Sequence, residues 1–528
     1  MKNVKKVIIP VALALTMSLS AFLVACGEEK KPPVTPTTDK WRDESIWMKA
    51  EDLVPTDAAI LPEGVNYRVP SGSVHDPSVF HDPVSDYYYA YGTHFAVAKV
   101  YYLADAFRNE KEGGWEQLAG DNDYKFLFGD EEFTYGTTTW PAAMQETVEL
   151  VQPQSDVKTT WAPDVEYING KYYMYYSLTK YFGAWESAIA RVESDSPEGP
   201  FTNNKIIVHS MGGKKNVDPN CIDPELFYDK EGKLWMVYGS ASGGIFIKEL
   251  YNDGDKVGLP KEEGFGTKLW KGNANQEGPF VYYNAATDYY YLMCSYNSLM
   301  TNYNMHVARS KTPNGPYVGI DNKDVANDGD GNLVAGNFKM NREGGSVNGF
   351  AAMGHNSVVK DKDGKYYAIY HARRITASSG ATQGTVSQPH VLYVSQIYFN
   401  EEGWPVLAPT PYVGETRGTF TNEQVAGGYD IVVHAMASII NSGSNIATLV
   451  NSTAYTLAAD GTVTGGADGD SWTLKSGYYL ELTLNGVTYK GVVAPGWDIY
   501  TNNTDSQKGV VTFSAISANG ISIWGVQK

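Results

Sequence analysis

One sequence motif, which predicts a strand, a polar turn and a second strand, occurs five times in the chain. This repeat constrains the fold more than any other feature. Each copy has a short strand, a turn with Asp, Asn or Gly, and a second strand rich in Tyr, Met, Val or Trp. The copies begin at His75, Trp161, Ile222, Gln276 and Gly354. An internal period of this kind is typical of proteins built from repeated structural units.

The spacing of the copies predicts an all-β fold with a five-bladed β-propeller. Polar residues near the heads of the copies are Asp76, Asp164, Asp223, Glu277 and His355, and they lie roughly 50 to 90 residues apart. That spacing exceeds what a hairpin needs and suits a four-stranded sheet, so each copy predicts one blade. Because the innermost strand of each blade lines the central channel, residues at equivalent repeat positions should converge near one axis.

The N-terminus has the anatomy of an export signal. Lys2, Lys5 and Lys6 precede an apolar stretch from Val7 to Val24, which is barely long enough to cross a bilayer. We therefore expect a signal peptide over residues 1–25 rather than a membrane span. Residues 26–40 are charged and proline-rich, which predicts an extended linker.

The residues Leu23-Val24-Ala25-Cys26 resemble a bacterial lipobox. The resemblance implies that the signal is cut before Cys26 and that this thiol receives a lipid, which makes the membrane a partner of the protein. Ordinary cleavage with an incidental cysteine remains the alternative. We expect a secreted, lipid-anchored protein at the bacterial cell surface.

The length of the mature chain predicts two domains, or one large β-domain with an appendage. The residues after the linker are more than one core usually holds, and the repeats place the predicted propeller over residues 41–412. Residues 413–528 alternate Thr, Val, Tyr and Leu between Gly, Asn and Asp, which indicates a small C-terminal β-barrel or sandwich. Core packing is the expected role of its Trp472, Trp497 and Trp524.

The net charge and the cysteine count narrow the class of partner. The formal net charge is -18, which argues against nucleic-acid binding, since that binding relies on basic patches. The charge suits a neutral or cationic ligand. Apart from Cys26, only Cys221 and Cys294 are present, so the sequence offers no disulfide framework. We expect a monomer.

Three carboxylates occur at comparable points of the repeat. Asp76, Asp223 and Glu277 each stand beside a proline or a glycine-proline pair, in HDPS, IDPE and EGPF. Proline fixes the backbone and removes a donor at the strand edge, which directs the neighbouring carboxylate. One such acid alone would more often cap a turn, but three together predict a shared cavity. Glycoside hydrolysis uses such a set: a protonated acid, a carboxylate, and a third carboxylate that keeps the pKa of the acid high.

At these motifs the sequence resembles glycoside hydrolase family 43, from about Val74 to Tyr412. The resemblance implies that Asp76 is the general base, Asp223 the residue that modulates the pKa, and Glu277 the general acid. It also implies that the anomeric configuration is inverted, so the base and the acid should be roughly 6.5 to 9.5 Å apart.

Within the family, the arabinanase branch fits best. The segments FGAWESAIARVESDSPEGPF, YGSASGGIFIKEL and QIYFNEEGWPVLAPTPY are similar to its blades, and the xylosidase branch typically lacks the aspartate of WAPD. Ala241 and Ser242 depart from the pattern, because aromatic residues often follow YGS. The implied reaction is endo cleavage of α-1,5-linked arabinan. An exo-acting β-xylosidase or α-L-arabinofuranosidase, and a non-catalytic glycan-binding lipoprotein, remain open alternatives.

Five further residues complete the predicted site. The resemblance implies that His355, in MGHNSVV, faces the channel and holds a calcium ion through water, although calcium prefers oxygen ligands and a lone histidine is more often a core residue. Asp164 is expected to bind substrate or organise the channel, with a turn residue as the alternative. His94, Trp161 and Arg373 are expected to contact sugar, because an aromatic face and a forked guanidinium suit ring and hydroxyl recognition.

Overall fold

The computed structural model shows a chain built mainly of antiparallel β-sheets. The residues that it describes are 74–106, 114–154, 159–272, 276–342, 349–377, 382–386, 389–436, 444–500 and 509–528. The predicted signal peptide, the linker and Cys26 lie outside these residues. Within these ranges, every helix is too short or too polar to cross a membrane.

The first two repeats each form a separate four-stranded sheet. The strands of the first sheet are β1 (Ser78–His81), β2 (Tyr88–Tyr91), β3 (Val97–Val100) and β4 (Glu116–Ala119). The elements that follow are α1 (Tyr124–Phe128), the hairpin β5 (Glu132–Tyr135) and β6 (Thr138–Pro141), and α2 (Gln145–Val151). The strands of the second sheet are β7 (Thr160–Ile168), β8 (Lys171–Thr179), β9 (Ser187–Ser194) and β10 (Thr202–His209).

The third and fourth repeats also form separate four-stranded sheets. The strands of the third are β11 (Glu225–Tyr228), β12 (Leu234–Ser240), β13 (Gly244–Leu250) and β14 (Thr267–Lys271). The strands of the fourth are β15 (Gln276–Asn284), β16 (Tyr289–Tyr296), β17 (Asn304–Ser310) and β18 (Asn332–Ala335). The tyrosine-rich second strands pack between neighbouring sheets, where aromatic residues suit a pleated surface.

The fifth repeat lies in a larger sheet. Its strands before the C-terminal part are β19 (Phe338–Lys339), β20 (Gly349–Lys360), β21 (Tyr366–Ala377), β22 (Gln383–Val386), β23 (Val391–Phe399) and β24 (Pro405–Leu407). β20 and β21 have 12 residues each, so they extend beyond the length of the other innermost strands and offer edges for further pairing.

The C-terminal part begins with a short helix and continues as strands. Its elements are α3 (Asn422–Val425), β25 (Gly427–Val433), β26 (Ile446–Thr448), β27 (Val450–Asn451), β28 (Thr453–Leu457), β29 (Val463–Thr464), β30 (Ser471–Lys475), β31 (Tyr479–Leu484), β32 (Val487–Trp497), β33 (Gly509–Ser517) and β34 (Ser522–Gln527). Eight of the strands form one sheet in the order β29-β28-β25-β34-β33-β32-β31-β30. The ends of this sheet meet where the Trp472 N–H donates to the Gly461 carbonyl at 2.8 Å. The sheet therefore closes as a barrel, with Trp472, Trp497 and Trp524 buried in its core.

β26 and β27 do not belong to the barrel. β27 runs parallel to β19, and β26 pairs with β22, so the fifth sheet has eight strands. This corrects the prediction of a five-bladed propeller. The described ranges contain four separate four-stranded blades, not five, because the C-terminal part occupies the extended edges of the fifth sheet.

The innermost strands β1, β7, β11, β15 and β20 are joined in a ring by hydrogen bonds between sheets. A side chain from the second strand of one sheet, or from just after it, accepts the backbone N–H at the head of the next innermost strand, at 2.8 to 3.1 Å. The acceptor and donor pairs are Thr93 and Ala162, Ser177 and Asp223, Ser295 and His355, and His371 and Asp76. Gly239 has no side chain at this position of β12, and the Asp223 carboxylate accepts the Gly278 N–H at 3.0 Å instead. The ring therefore fixes the backbone at the positions that carry the predicted acids.

Candidate active site

Asp76 is a buried carboxylate surrounded by imidazoles. It lies directly before β1 and is 7% exposed. Its Oδ2 accepts a hydrogen bond from Thr93 Oγ1 at 2.7 Å, and its Oδ1 is 3.3 Å from Nδ1 of both His355 and His371. Burial alone would raise the pKa of Asp76, but His355, His75 and His371 together lower it well below its usual range. Asp76 is therefore ionised at neutral pH.

Asp223 and Glu277 have the opposite electrostatic environment. Burial, reinforced by the charge of Asp76, raises the pKa of Glu277 to about 7, while a hydrogen bond from Tyr303 Oη to Oε1 at 3.0 Å opposes the rise. Burial and then the charges of Glu277 and Asp76 raise the pKa of Asp223 well above its usual range. Because the two groups titrate together, the pair retains a proton at neutral pH.

The structure thus brings Asp76, Asp223 and Glu277 into one cluster, in which each carboxyl influences the ionisation of another. Neighbouring carboxyls with pKa values pushed apart are the arrangement that acid–base chemistry requires. One of them can accept a proton at the pH at which another can donate one. The assignment of base, acid and modulator to the three residues stays a prediction.

The backbone is strained at three residues of the innermost strands or just before them. Asp76, Asp223 and His355 have φ of 52°, 54° and 50°, a region that costs a residue with a side chain about 1 to 2 kcal/mol. Such strain concentrates at functional sites. At Gly278, a Cβ would lie 3.0 Å from the His355 ring, so glycine is required for the imidazole to pack there.

His355 is the predicted contact of a calcium ion. It is buried, and its Nδ1 faces the Asp76 carboxylate. Calcium takes six to eight oxygen ligands, yet no three His, Cys, Asp or Glu side chains are grouped as metal ligands anywhere in the described ranges. The side chains therefore do not form a site that coordinates calcium directly. An ion held through water at His355 stays a prediction.

Asp164 occupies a different position from the one that the repeat suggested. In strand register it matches Ser78 and Glu225, two residues beyond the position of Asp223. Ser78 Oγ donates to Asp164 Oδ1 at 2.5 Å, and the Leu226 N–H donates to Oδ2 at 2.9 Å. Burial raises the pKa of Asp164 to about 6. Both oxygens thus connect neighbouring sheets, and a role in substrate binding stays a prediction.

The three predicted sugar contacts lie near the carboxylates or near one another. The rings of His94 and Trp161 are 5.3 Å apart, and Phe182, which is 79% exposed, packs edge-on against Trp161 at 5.6 Å. Burial lowers the pKa of both His94 and Arg373, and the charge of Asp76 opposes the shift in each. Sugar contact by His94, Trp161 and Arg373 stays a prediction.

The sequence analysis missed most of the groups that surround Asp76. His371 stacks on His390 at 4.1 Å and on Tyr303 at 5.5 Å, and the His75 ring is 5.2 Å from His390. Two signals were present. His75 adjoins Asp76 in HDPS, and His371 has the place in KYYAIYH that Thr93 has in YYYAYGT. His390 lies outside every repeated motif, so nothing in the sequence pointed to it.

Known proteins resemble this chain over nearly its whole length. Residues 137–405 match the family described as glycosyl hydrolases family 43, and residues 409–525 match a C-terminal lipocalin-like domain. An extracellular endo-alpha-(1->5)-L-arabinanase of Thermotoga petrophila is 35% identical, over 86% of this chain and 93% of its own. Extracellular endo-alpha-(1->5)-L-arabinanase 2 of Bacillus subtilis is 34% identical, over 89% and 96%. The crystal structure of endo-1,5-alpha-L-arabinanase from Thermotoga petrophila RKU-1 superposes with a TM-score of 0.71 at 33% identity, over 87% of this chain and 98% of that one.

Proposed function

Because the chain belongs to glycosyl hydrolases family 43 and is a glycoside hydrolase, we propose that it hydrolyses α-1,5-L-arabinofuranosidic bonds inside arabinan. The observation that carries this proposal is the likeness to two relatives named as endo-arabinanases, at 35% and 34% identity over both the propeller and the barrel. The clustered carboxyls with opposed pKa shifts supply the chemistry that such a reaction needs.

In the proposed mechanism, Asp76 is the general base. Its low pKa keeps it ionised, so it can accept a proton from water as the water attacks the anomeric carbon. Because water rather than the carboxylate attacks, the product has inverted configuration. The hydrogen bond from Thr93 Oγ1 and the contact with His355 restrain the two carboxylate oxygens, which supports a fixed geometry for the base.

Glu277 is the general acid and Asp223 its modulator. A pKa of about 7 leaves Glu277 protonated up to neutral pH, so it can donate to the glycosidic oxygen as the leaving group departs. Like charges resist joint ionisation, and the charge of Glu277 is one cause of the raised pKa of Asp223. Because this repulsion is mutual, we assign to Asp223 the role of opposing the ionisation of Glu277.

The proposal includes secretion and a lipid anchor on Cys26 at the bacterial cell surface, with the protein acting as a monomer. Residues 23–26 support the anchor, and the names of both relatives include the word extracellular. Mass spectrometry of the purified membrane fraction tests it, since a diacylglyceryl group on a mature N-terminal cysteine is expected.

Incubation with linear arabinan tests the proposed activity. Viscosity should fall faster than reducing ends accumulate, oligosaccharides should be the early products, and proton NMR should detect the inverted anomer first. Asp76→Asn and Glu277→Gln are the matched inactive controls. Arabinose as the sole early product would favour an exo-acting enzyme instead. Arabinan binding without cleavage would favour a glycan-binding protein.

A further inference from the structure

The strand β26 comes from the C-terminal part but lies in the propeller. It pairs with β22, and the next residue, Leu449, donates its N–H to the Thr382 carbonyl at 2.9 Å. A few residues on, the Ser452 N–H donates to the Lys339 carbonyl at 2.8 Å. This stretch of chain is therefore held on both sides by the fifth sheet rather than by the barrel.

Two buried asparagines connect β26 to the fourth blade. Asn302 Oδ1 accepts hydrogen bonds from the Thr448 N–H and from Asn337 Nδ2, both at 2.9 Å. Asn337 Nδ2 also lies within hydrogen-bonding distance of the Thr301 carbonyl at 2.8 Å and the Thr448 carbonyl at 3.0 Å. Asn337 Oδ1 accepts the Ala352 N–H at 2.9 Å. Since Asn302 is 0% exposed, water does not replace these bonds if one partner is lost.

The residue after Asn302 is the hydrogen-bond donor to Glu277. Tyr303 is fully buried, and its hydroxyl donates to Glu277 Oε1 at 3.0 Å. One side of its ring stacks on His371 at 5.5 Å, and a Cβ on Gly354 would lie 2.4 Å from the ring. The ring therefore has no room to adjust, and the backbone at residues 301–302 determines where the hydroxyl lies.

We propose that β26, acting through Asn302 and Asn337, is a positioning element for Glu277: it holds the Tyr303 hydroxyl on the carboxyl group. This inference rests on the proposed role of Glu277 as the general acid. Asn302 and Asn337 are positioning residues, since neither touches Glu277. The C-terminal part thereby contributes to catalysis through one strand that lies outside the barrel, without contacting the reacting sugar.

Several groups besides the Tyr303 hydroxyl face the same carboxyl group. The charge of Asp76 acts on it, Asp223 titrates together with it, and His355 packs on the adjacent Gly278. The test therefore compares substrates that differ in whether their leaving group needs a proton donor, and does not depend on a shift of the pH profile alone.

Two substrates separate a misplaced acid from a general loss of structure. An arabino-oligosaccharide has a poor leaving group that needs protonation, whereas the dinitrophenyl glycoside of the same oligosaccharide has a leaving group that departs without it. Asn302→Ala should lower kcat/KM for the oligosaccharide about tenfold, because a small displacement of a catalytic group is costly, and should change that for the dinitrophenyl glycoside by less than about twofold. Asn302→Asp keeps both acceptor bonds and should restore most of the loss.

Ser452→Ala is the matched control. Ser452 Oγ accepts the Asn341 N–H at 2.8 Å. This substitution therefore weakens the same contact between the C-terminal part and the propeller, but it removes no hydrogen bond of Asn302 or Asn337, the two residues proposed to position Tyr303. It should lower the melting temperature and leave the ratio of the two kcat/KM values unchanged. If Asn302→Ala does not fold, Asn337→Asp carries the comparison, because it keeps its volume and loses the bonds donated by Nδ2.

An equal loss on both substrates in a folded Asn302 or Asn337 variant would overturn the inference. So would a selective loss in Ser452→Ala as large as that in Asn302→Ala. Failure of the proposed function is a distinct result, because the wild-type protein would then cleave neither arabinose-based substrate.

Discussion

At the scale of single residues, the proposed active site contains three carboxyl groups with different surroundings. Asp76 is next to imidazoles, Glu277 next to a phenol, and Asp223 next to a backbone N–H and another acid. Burial raises the pKa of all three carboxyl groups, so the neighbouring groups decide which of them ionises first. Each substitution below removes one neighbour and has a predicted direction.

Asp223→Asn removes the carboxyl group that, in the proposed mechanism, opposes the ionisation of Glu277. The pKa of Glu277 should fall, and the alkaline limb of kcat/KM against pH should move to lower pH together with a large loss of rate. Asp164→Asn is the matched control, because Asp164 hydrogen-bonds Ser78 and Leu226 rather than Glu277. It should raise KM and leave the limb in place. The reverse pattern would assign the modulator role to Asp164.

Tyr303→Phe should move the same limb in the opposite direction. The Tyr303 hydroxyl stabilises the ionised form of Glu277, so its removal should raise the pKa of Glu277 and shift the alkaline limb to higher pH. The ring and its packing on His371 are retained, which makes the variant conservative. Measured pH profiles that shift alike in Tyr303→Phe and Asp223→Asn would contradict this account.

Chelation tests the predicted calcium ion near His355. Exhaustive treatment of the wild-type protein with a chelator should lower turnover of arabinan, and added calcium should restore it. Elemental analysis must accompany the assay, since unchanged kinetics in demonstrably metal-free protein would remove the role.

At the scale of elements, side chains from the second strands hold the heads of the innermost strands. Ser177→Ala should leave the Asp223 N–H without its buried acceptor and lower the free energy of unfolding by about 1 to 3 kcal/mol. Thr202→Ala, on the exposed face of β10, is the control and should change it by less than about 0.5 kcal/mol. Urea denaturation measures both, and equal effects would argue against a role of the ring in stability.

The repeat made much of this arrangement predictable from sequence. Proline-flanked acids at matching points indicated the cluster of Asp76, Asp223 and Glu277, because innermost strands share one channel. The structure does not support the assignment of Asp164 to the repeat position of Asp223, because strand register depends on pairing between strands that the amino-acid sequence does not show. The merging of β26 and β27 with the fifth sheet was equally hidden, because pairing between strands far apart in the chain, such as Phe338 with Val450, leaves no local pattern.

At the scale of the whole molecule, buried acids with raised pKa values make stability depend on pH. Burial raises the pKa of Asp164 to about 6 and of Glu277 and Glu415 to about 7, and raises that of Glu225 further above its ordinary value. Between about pH 4 and 7 the native state thus binds more protons than the unfolded state at these groups. Their contribution to stability is complete below the unfolded pKa and declines as the pH rises.

We therefore expect the free energy of unfolding to be larger at pH 5 than at pH 7.5. Each unit of raised pKa that lies between these two pH values contributes about 1.4 kcal/mol to the difference. Asp76, whose pKa is lowered, is ionised in both states over this range and does not change the difference. Glu225→Gln should flatten the dependence while keeping an acceptor for the Val281 N–H. Urea denaturation at the two pH values measures the slope, and stability that increases over this range would contradict the expectation.

The hydrogen bond between the Asp76 N–H and His371 joins residues 295 positions apart in the chain. It also joins the second strand of the fifth sheet to the head of the first innermost strand. During synthesis and export, Asp76 in the first repeat therefore acquires its partners His355 and His371 only after the fifth repeat has been made. A nascent chain that ends before residue 371 should consequently be inert toward polysaccharide, so that activity begins only once nearly the whole propeller has emerged.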